Sequence, residues 1–410
     1  MAEKMRDGII KRGSLYYYVV TERGRFPAVD RQGKPKLDAA GNQIVRTSRQ
    51  RWVKGAATRA ATKALRDEAR NAVHQGTYVT PKDLTVSAWL DQWMTAHEVE
   101  LKPSTAKTYR DKIELYLKPT IGHEKVQALS PSLLSGVWRQ MQAAGGKNGK
   151  PLSRRTVEFA RAVLRKAMED AVVERIVQVN PVVGSKMAKR DGKPQHTTWT
   201  GEQLKVFLAR AAEDRWAPLW ELAAGTGMRR GELMALRWDD VDLEGGLVSV
   251  ERSVTQLGKE RVATSPKNHE RRKVAIDPHL VASLKAWKLR QAQERLAAGP
   301  AYVDAEGLLF TWEDGRAVLP DYVTRAFGKL QAAVSAALAE GGEPALPRLV
   351  VHELRHTHAT LLLRDGVPVH IVAKRLGHKD PSVTLNVYAD VIPDDDTSAV
   401  DVFSKAVWGA

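Results

Sequence analysis

A basic stretch without periodicity, residues 184–196 (GSKMAKRDGKPQH), separates two long segments that each carry enough apolar pattern to close a core. Its glycines, proline and charges have the composition of a linker, so the chain is not expected to fold around one centre. Length points the same way, because 410 residues exceed what a single hydrophobic core usually serves.

Ahead of that linker the pattern changes once more. Leu15-Tyr16-Tyr17-Tyr18-Val19-Val20 is aromatic and β-branched, the mark of a strand, and Ile44-Val45 and Trp52-Val53 suggest two further short ones. From Ala57 to Gln75 the chain turns Ala-rich and helical, with Arg59, Lys63, Arg66 and Arg70 forming one basic stripe. That stripe suits either a solvated face or a DNA contact. Beyond Thr80-Pro81, Val86, Trp89, Leu90 and Trp93 fall on one helical face and predict core packing. Ser104 is expected to cap a second helix, Ser130-Pro131 to open a third, and Ser153 to open a longer one running towards Asn180-Pro181. After the linker, Thr200 with Gln203 predicts a capping-box start. The remainder mixes helices with short strands near Leu247–Glu251, Val262–Thr264 and Lys273–Ile276. The fold class expected is therefore multidomain, α/β and α. It comprises a small three-stranded sheet plus helix, a bundle of about four helices, and a mixed, mainly α domain. The boundaries expected are 1–80, 84–182, a linker over 183–197, and 198–410.

Charge is divided unevenly among these parts. The formal net charge is +16, with Lys and Arg exceeding Asp and Glu by ten in residues 1–80 and by eight in 81–190, and falling two short in 191–410. An excess so placed suits a polyanion, since each neutralised phosphate releases condensed counterions. A basic protein that is merely well solvated is the alternative. Hydrophobic content of 43% and charged content of 27% argue against a disordered or membrane-embedded chain. No apolar run approaches the roughly 20 residues of a spanning helix, and the charged start MAEKMRDGII is unlike a secretory signal. The absence of cysteine removes disulfides, thiolate zinc sites and cysteine nucleophiles. A cytoplasmic protein is expected.

The third segment carries the chemistry. Residues 224–233 (AGTGMRRGEL) form a Gly-rich turn entering a helix, with Arg229 at its mouth. Such a turn can bind phosphate on backbone N–H groups, but it lacks the Lys-Ser/Thr ending of a nucleotide-binding loop. Residues 352–358 (HELRHTH) follow some 120 residues later, and Tyr388 lies ten residues past His378. Two arginines, two or three histidines and a tyrosine suit one phosphodiester. Guanidinium groups match phosphate oxygens, imidazoles supply hydrogen bonds or protons, and a phenol can be a nucleophile. The run from His352 to His356 also fits the H-E-x-x-H pattern of zinc peptidases. That reading sets Arg355 beside a dication and leaves Arg229, Tyr388 and the basic half without a role. His356 and His358 are read instead as buried, hydrogen-bonded histidines.

Four motifs in this order, TGMRRGE (226–232), SPKNHERRKVAI (265–276), HELRHTHAT (352–360) and LGHKDPSVTLNVY (376–388), resemble those of the tyrosine recombinases, in particular the phage-type integrases. The resemblance covers 84–395 and extends more weakly to 1–80. It implies an arm-type DNA-binding domain of AP2-like form over 1–80, a SAM-like core-binding domain over 84–182 and a catalytic domain over 198–410. It implies Arg229 and Arg355 on the scissile phosphate, a hydrogen bond from His378, and His352 as acid/base. Lys267 would protonate the leaving 5′ oxygen, Tyr388 would be the nucleophile, and Glu232 would support Arg229. Arg230, Arg271 and Arg272 are read as backbone-phosphate contacts or surface charges, and Glu353 stands where similar proteins often carry Asp. Neither a metal nor ATP is implied. The implied partners are double-stranded DNA at core and arm sites, a homotetramer on that DNA, and an excisionase or DNA-bending accessory protein, in a bacterial cytoplasm. The C-terminal stretch with Val400, Phe403 and Val407 would be a helix packed on a neighbouring protomer. Resolution of chromosome or plasmid dimers is the alternative activity within the family.

Overall fold

The computed structural model describes all residues except 1–2, 5–6, 31, 33, 40, 76–77, 80–82, 189–196, 265–270, 305, 389–403 and 409–410. Lys267 and the C-terminal positions Val400 and Phe403 therefore lie outside the described residues. Two compact units divide the chain, Met1–Asp191 and Gly192–Ala410.

The first unit begins with an antiparallel sheet in the order β1 (Glu3–Lys4), β2 (Ile9–Arg12), β3 (Leu15–Pro27) and β4 (Val45–Lys54). It has four strands where three are expected, because the two-residue β1 adds an edge. The two short strands expected around 44–45 and 52–53 belong to the single strand β4, whose residue Val53 pairs with Tyr18. Period-two alternation turns Tyr18, Val20 and Val53 towards α1 (Arg59–His74), where they form a small apolar cluster with Ile9 and Ala69. Thr58 caps α1 by accepting from the Ala61 N–H. The basic stripe on this helix is not uniformly solvated. Arg66 is buried, donating to the Asp7 carbonyl at 2.5 Å and to Asp67 at 2.7 Å, and Arg59 reaches Asp7 Oδ2 at 3.0 Å.

The same unit holds a helical bundle of α2 (Val86–His97), α3 (Pro103–Lys112), α4 (Lys118–Ile121), α5 (Pro131–Ala144) and α6 (Arg154–Val173). Trp89, Leu90, Leu134, Trp138 and Leu164 lie in its centre, each such burial contributing about 1.5–3 kcal/mol. Trp89 and Trp93 satisfy their indole N–H groups on the Ala167 carbonyl and on Asp170. Ser130 and Ser153 cap as the sequence predicts, whereas α3 begins one residue before Ser104, with Pro103 in its first turn and Lys102 as an uncapped N-cap. Proline is tolerated there because that N–H has no helical partner. The expected linker is also shorter than its composition suggests. Ser185 is buried between Trp138 and Arg161, and the Lys186 N–H donates to Ser135, so residues through Ala188 dock on the bundle.

The second unit opens with Trp199, whose indole N–H donates to the Pro347 carbonyl at 2.8 Å. Its core gathers Trp199, just ahead of α7, with Phe207, Trp220, Leu284 and Phe327 from α7 (Gly201–Ala211), α8 (Ala217–Thr226), α10 (Pro278–Ala298) and α11 (Pro320–Glu340). Between α8 and α10 come the short helix α9 (Arg230–Leu233) and five strands. Of these, β5 (Val241–Asp242), β6 (Leu247–Val250) and β9 (Arg272–Ala275) form one sheet, while β7 (Ser253–Leu257) and β8 (Glu260–Thr264) form a hairpin. After α11 come α12 (Glu353–Arg364), α13 (Val369–Leu376) and α14 (Pro381–Tyr388). Among the described residues no helix is long and apolar enough to cross a membrane.

Candidate active site

The site is assembled at the C-terminal ends of two helices. Helix α8 stops at Gly227, which takes φ +62°. A side chain there would put its Cβ 2.8 Å from Leu376 and 2.9 Å from the His358 ring, so glycine is required by both conformation and space. Helix α13 ends the same way at Gly377, with φ +70°. The last carbonyls of a helix lack intrahelical donors and carry partial negative charge, and Arg355 satisfies one at each end. Its Nη1 donates to the Gly227 carbonyl at 2.8 Å and its Nη2 to the Leu376 carbonyl at 2.7 Å. Arg355 is only 3% exposed. Burial, then the Arg229 charge, presses its pKa down to about 9, which still leaves it charged at neutral pH.

Arg229 lies at the neck between α8 and α9. Its Nη1 donates to Glu232 Oε1 at 2.9 Å, and its backbone N–H donates to Glu232 Oε2 at 3.0 Å. Its Nη2 reaches the Gly377 carbonyl at 3.5 Å. Glu232 is 1% exposed and serves a second arginine, because Arg272 Nη2 and Nη1 donate to Oε2 and Oε1 at 2.6 and 3.2 Å. Burial would push the Glu232 carboxyl up. The hydrogen bonds and charge of Arg272, then Arg229, overcome that and hold it below the usual carboxylate range. The expected support of Arg229 by Glu232 is thus present in the geometry. The reading of Arg272 as a backbone-phosphate contact or surface charge is corrected, since its side chain is enclosed and its guanidinium is bidentate on Glu232. Arg230 is likewise engaged, donating to Thr324 and to Asp321.

Immediately after Gly377, His378 Nδ1 lies 2.7 Å from the Thr384 hydroxyl. Burial, followed by the charges of Arg355, Arg229 and Arg272, lowers its pKa to about 4, so the ring is neutral at pH 7. A Thr384 hydroxyl donating to Nδ1 would leave the ring proton on Nε2. His352 stands at the start of α12, exposed on one side. Its pKa is held below the ordinary imidazole value first by partial burial, then by Arg355, Arg229 and Arg230. Glu353 accepts from the Val350 N–H at 2.6 Å and braces the turn into α12.

Tyr388 is 3% exposed and packs with Ala359, Leu363, Val372 and Leu376. Its hydroxyl lies 2.6 Å from His356 Nδ1. Burial raises its pKa to about 12, with Arg355 pulling the other way. His356, read from the sequence as a buried, hydrogen-bonded histidine with no part in the site, is half-buried and bonded to Tyr388. The available signal was its position, one turn along from His352 and next to Arg355. His358 is buried as expected, its Nε2 accepting from Arg375 Nε at 3.0 Å. The zinc alternative finds no support in this geometry, because His356 is turned to Tyr388 and no three His, Asp or Glu residues converge among the described residues. Beside His378 opens a cleft of about 470 Å³ lined by Arg271, Lys273, His370, Lys374 and Lys379. No carboxylate is among its lining residues.

Residues 197–394 match the model of the phage integrase family, and residues 85–139 match that of the N-terminal SAM-like domain of phage integrases. A "Tyrosine recombinase XerC-like" of Caldanaerobacter subterraneus subsp. tengcongensis is 28% identical over 426 residues, covering 98% of this chain and 99% of that protein. The ICEBs1 integrase of Bacillus subtilis is 24% identical, covering 75% and 80%. Among solved structures, the Tn1549 transposon integrase in complex with transposon right-end DNA aligns with a TM-score of 0.64 at 20% identity, covering 79% of this chain and 99% of that one. A lambda integrase tetramer bound to a Holliday junction aligns with a TM-score of 0.55 at 16% identity, covering 93% of each chain. The shared fold, the two matched family models and the end-to-end relative agree: this chain belongs to the phage integrase family of tyrosine recombinases and acts in site-specific DNA recombination.

Proposed function

We propose that Tyr388 is the nucleophile of DNA cleavage. Its oxygen attacks the scissile phosphorus, the bond from phosphorus to the 5′ oxygen breaks, and the products are a 3′-phosphotyrosyl link and a free 5′ hydroxyl. Arg229 and Arg355 hold the non-bridging oxygens, whose charge grows in the transition state. His378 donates a further hydrogen bond to them. The phenolic proton has an acceptor in contact, His356 Nδ1, with the His352 ring centroid 5.5 Å from that of His356. Lys267 delivers the proton to the departing 5′ oxygen. One phosphodiester is exchanged for another, so the bond energy is kept for rejoining and the scheme has no step for ATP or a metal.

A single chain of contacts carries this reading. Arg355 and Arg229 donate to the consecutive carbonyls of Leu376 and Gly377, just before His378, while the residue after Arg355 holds the Tyr388 hydroxyl. Double-stranded DNA is the substrate, and recombination proceeds on a tetramer through a Holliday junction, the state in which lambda integrase has been solved. A second, arm-type DNA contact falls to the sheet face turned away from α1. Strand register places Arg12, Tyr17, Trp52 and Lys54 there. That open face favours integration or excision of a phage or mobile element, assisted by an excisionase or DNA-bending protein, over dimer resolution.

The test is covalent trapping on nicked duplexes tiled across the DNA flanking the gene, with EDTA present. Wild type is expected to form a protein–DNA adduct and Tyr388→Phe none. A wild type that binds these duplexes without any adduct would remove the nucleophile assignment, and an adduct that EDTA abolishes would restore the metal reading.

A further inference from the structure

We propose that Arg272 is a positioning residue for DNA cleavage, aiming Arg229 through the carboxylate they share and fixing the end of α13 that carries His378. The inference rests on the reading of Arg229 and His378 as phosphate-binding groups.

Arg272 opens β9, directly after the segment that holds Lys267, and its side chain is 6% exposed. Its guanidinium fork is spent within the protein, two nitrogens on the two oxygens of Glu232 and the third, Nε, on the Arg375 carbonyl at 2.9 Å. It is packed so tightly on the end of α13 that a Cβ at Gly377 would lie 2.9 Å from its Nη1. Three segments that share no sequence neighbourhood, β9, α9 and the end of α13, are thereby joined at one side chain.

Charge gives this joint a catalytic consequence. One carboxylate facing Arg229 alone would cancel the cation that must meet phosphate. A second guanidinium on the same carboxylate leaves the trio with a net positive charge, and in a buried site that residual charge acts at little screening. The bidentate pairing also fixes the carboxylate plane, which sets the direction in which Arg229 points. Lysine, a point charge without a planar fork, can replace the charge but not the aim.

The experiment uses the full chain with Arg272→Met and Arg272→Lys. It measures the rate of adduct formation at saturating protein separately from DNA affinity, on nicked duplexes whose scissile linkage is either a phosphodiester or an uncharged methylphosphonate. Arg272→Met is expected to slow cleavage of the phosphodiester by about 100-fold, the scale of losing one preorganised donor. DNA affinity should stay within about threefold, because the phosphate backbone elsewhere dominates it. On the methylphosphonate, which lacks the charge that Arg229 meets, the gap between wild type and Arg272→Met should narrow by roughly tenfold. Arg272→Lys should fall between the two. Equal losses on both linkages, accompanied by a lowered melting temperature, would mean that Arg272 only holds the fold, and a wild-type rate in Arg272→Met would overturn the proposal outright. If Arg272→Met does not fold, Arg272→Lys decides: slowed cleavage at an unchanged melting temperature supports the role, and a wild-type rate rejects it. A wild type that forms no adduct would instead defeat the tyrosine chemistry beneath it.

Discussion

At the scale of single residues, the proposed nucleophile, Tyr388, is held in its less reactive form. A phenol whose pKa is raised to about 12 by burial is protonated at neutral pH, so attack on phosphorus needs an acceptor in place. His356 Nδ1 at 2.6 Å is in that place. Replacing it should slow adduct formation by about 10² to 10⁴, the usual range for a general base. The pH profile separates this role from packing. Without an acceptor the rate depends on the phenolate fraction, which rises about tenfold per pH unit below the phenol pKa. Single-turnover adduct rates of His356→Ala should therefore climb more steeply from pH 7 to 9 than those of wild type. Parallel profiles would mean that His356 does not take the proton. His378 adds no slope in that range, since its pKa of about 4 keeps it neutral throughout.

Among elements, the decisive feature is the meeting of two helix ends. The left-handed turns at Gly227 and Gly377 stop α8 and α13 so that their final carbonyls face Arg355. Gly227→Ala forces a Cβ into φ +62° and against Leu376 and His358. Strain of this kind costs about 1–3 kcal/mol, to be read in urea unfolding. Because the carbonyls of Gly227 and Leu376 hold Arg355, a shift of either residue should lower adduct formation further than the loss of folded protein explains. A variant that loses stability in urea but keeps its full cleavage rate would show that Arg355 is positioned by other contacts. The N-terminal sheet follows the opposite logic. There, period-two alternation buries Tyr18, Val20 and Val53 and leaves Trp52 42% exposed on the other face, an aromatic and basic surface whose position follows from strand register alone.

Across the whole molecule, the distribution of titrating groups sets how the chain responds to acid. His358 is buried with a pKa lowered to about 4, first by burial and then by Arg375. An unfolded chain would protonate it near the ordinary value of 6.5, so between these values the unfolded state binds the extra proton. Stability is then complete above about pH 6.5 and declines as pH falls towards 4, by at most roughly 1.4 kcal/mol per pH unit for one such group. Glu232 acts in the same direction at lower pH, because its depressed carboxyl is lost as a partner when it protonates. Thermal melting followed from pH 7 to 4 should fall in wild type and less steeply in His358→Gln. An identical slope in the variant would assign the acid sensitivity elsewhere. The surplus of Lys and Arg over residues 1–190, against a small deficit beyond, concentrates long-range attraction for DNA in the first unit and leaves the second to act through local charges.

Much of this was legible without coordinates, for a reason rooted in local chemistry. The caps at Ser130, Ser153 and Thr200, the Gly-rich turn at Gly227 and the faces of amphipathic helices depend on neighbours within a few residues. The four motifs are also short runs of sequence, and it is their resemblance to the tyrosine recombinases that implies a shared phosphate site for Arg229, Arg355, His378 and Tyr388. What the sequence could not specify was the partner of each long side chain. Arg66 reads as part of a stripe facing solvent or DNA yet is buried on Asp7, Ser185 reads as linker yet is enclosed by Trp138 and Arg161, and Arg272 reads as a phosphate contact or surface charge yet is fixed to Glu232, forty residues away. The hydrogen bond between His356 and Tyr388 is of the same kind. Such pairings require elements far apart in the chain to approach within about 3 Å, and only the packing of the helices and sheets brings them there.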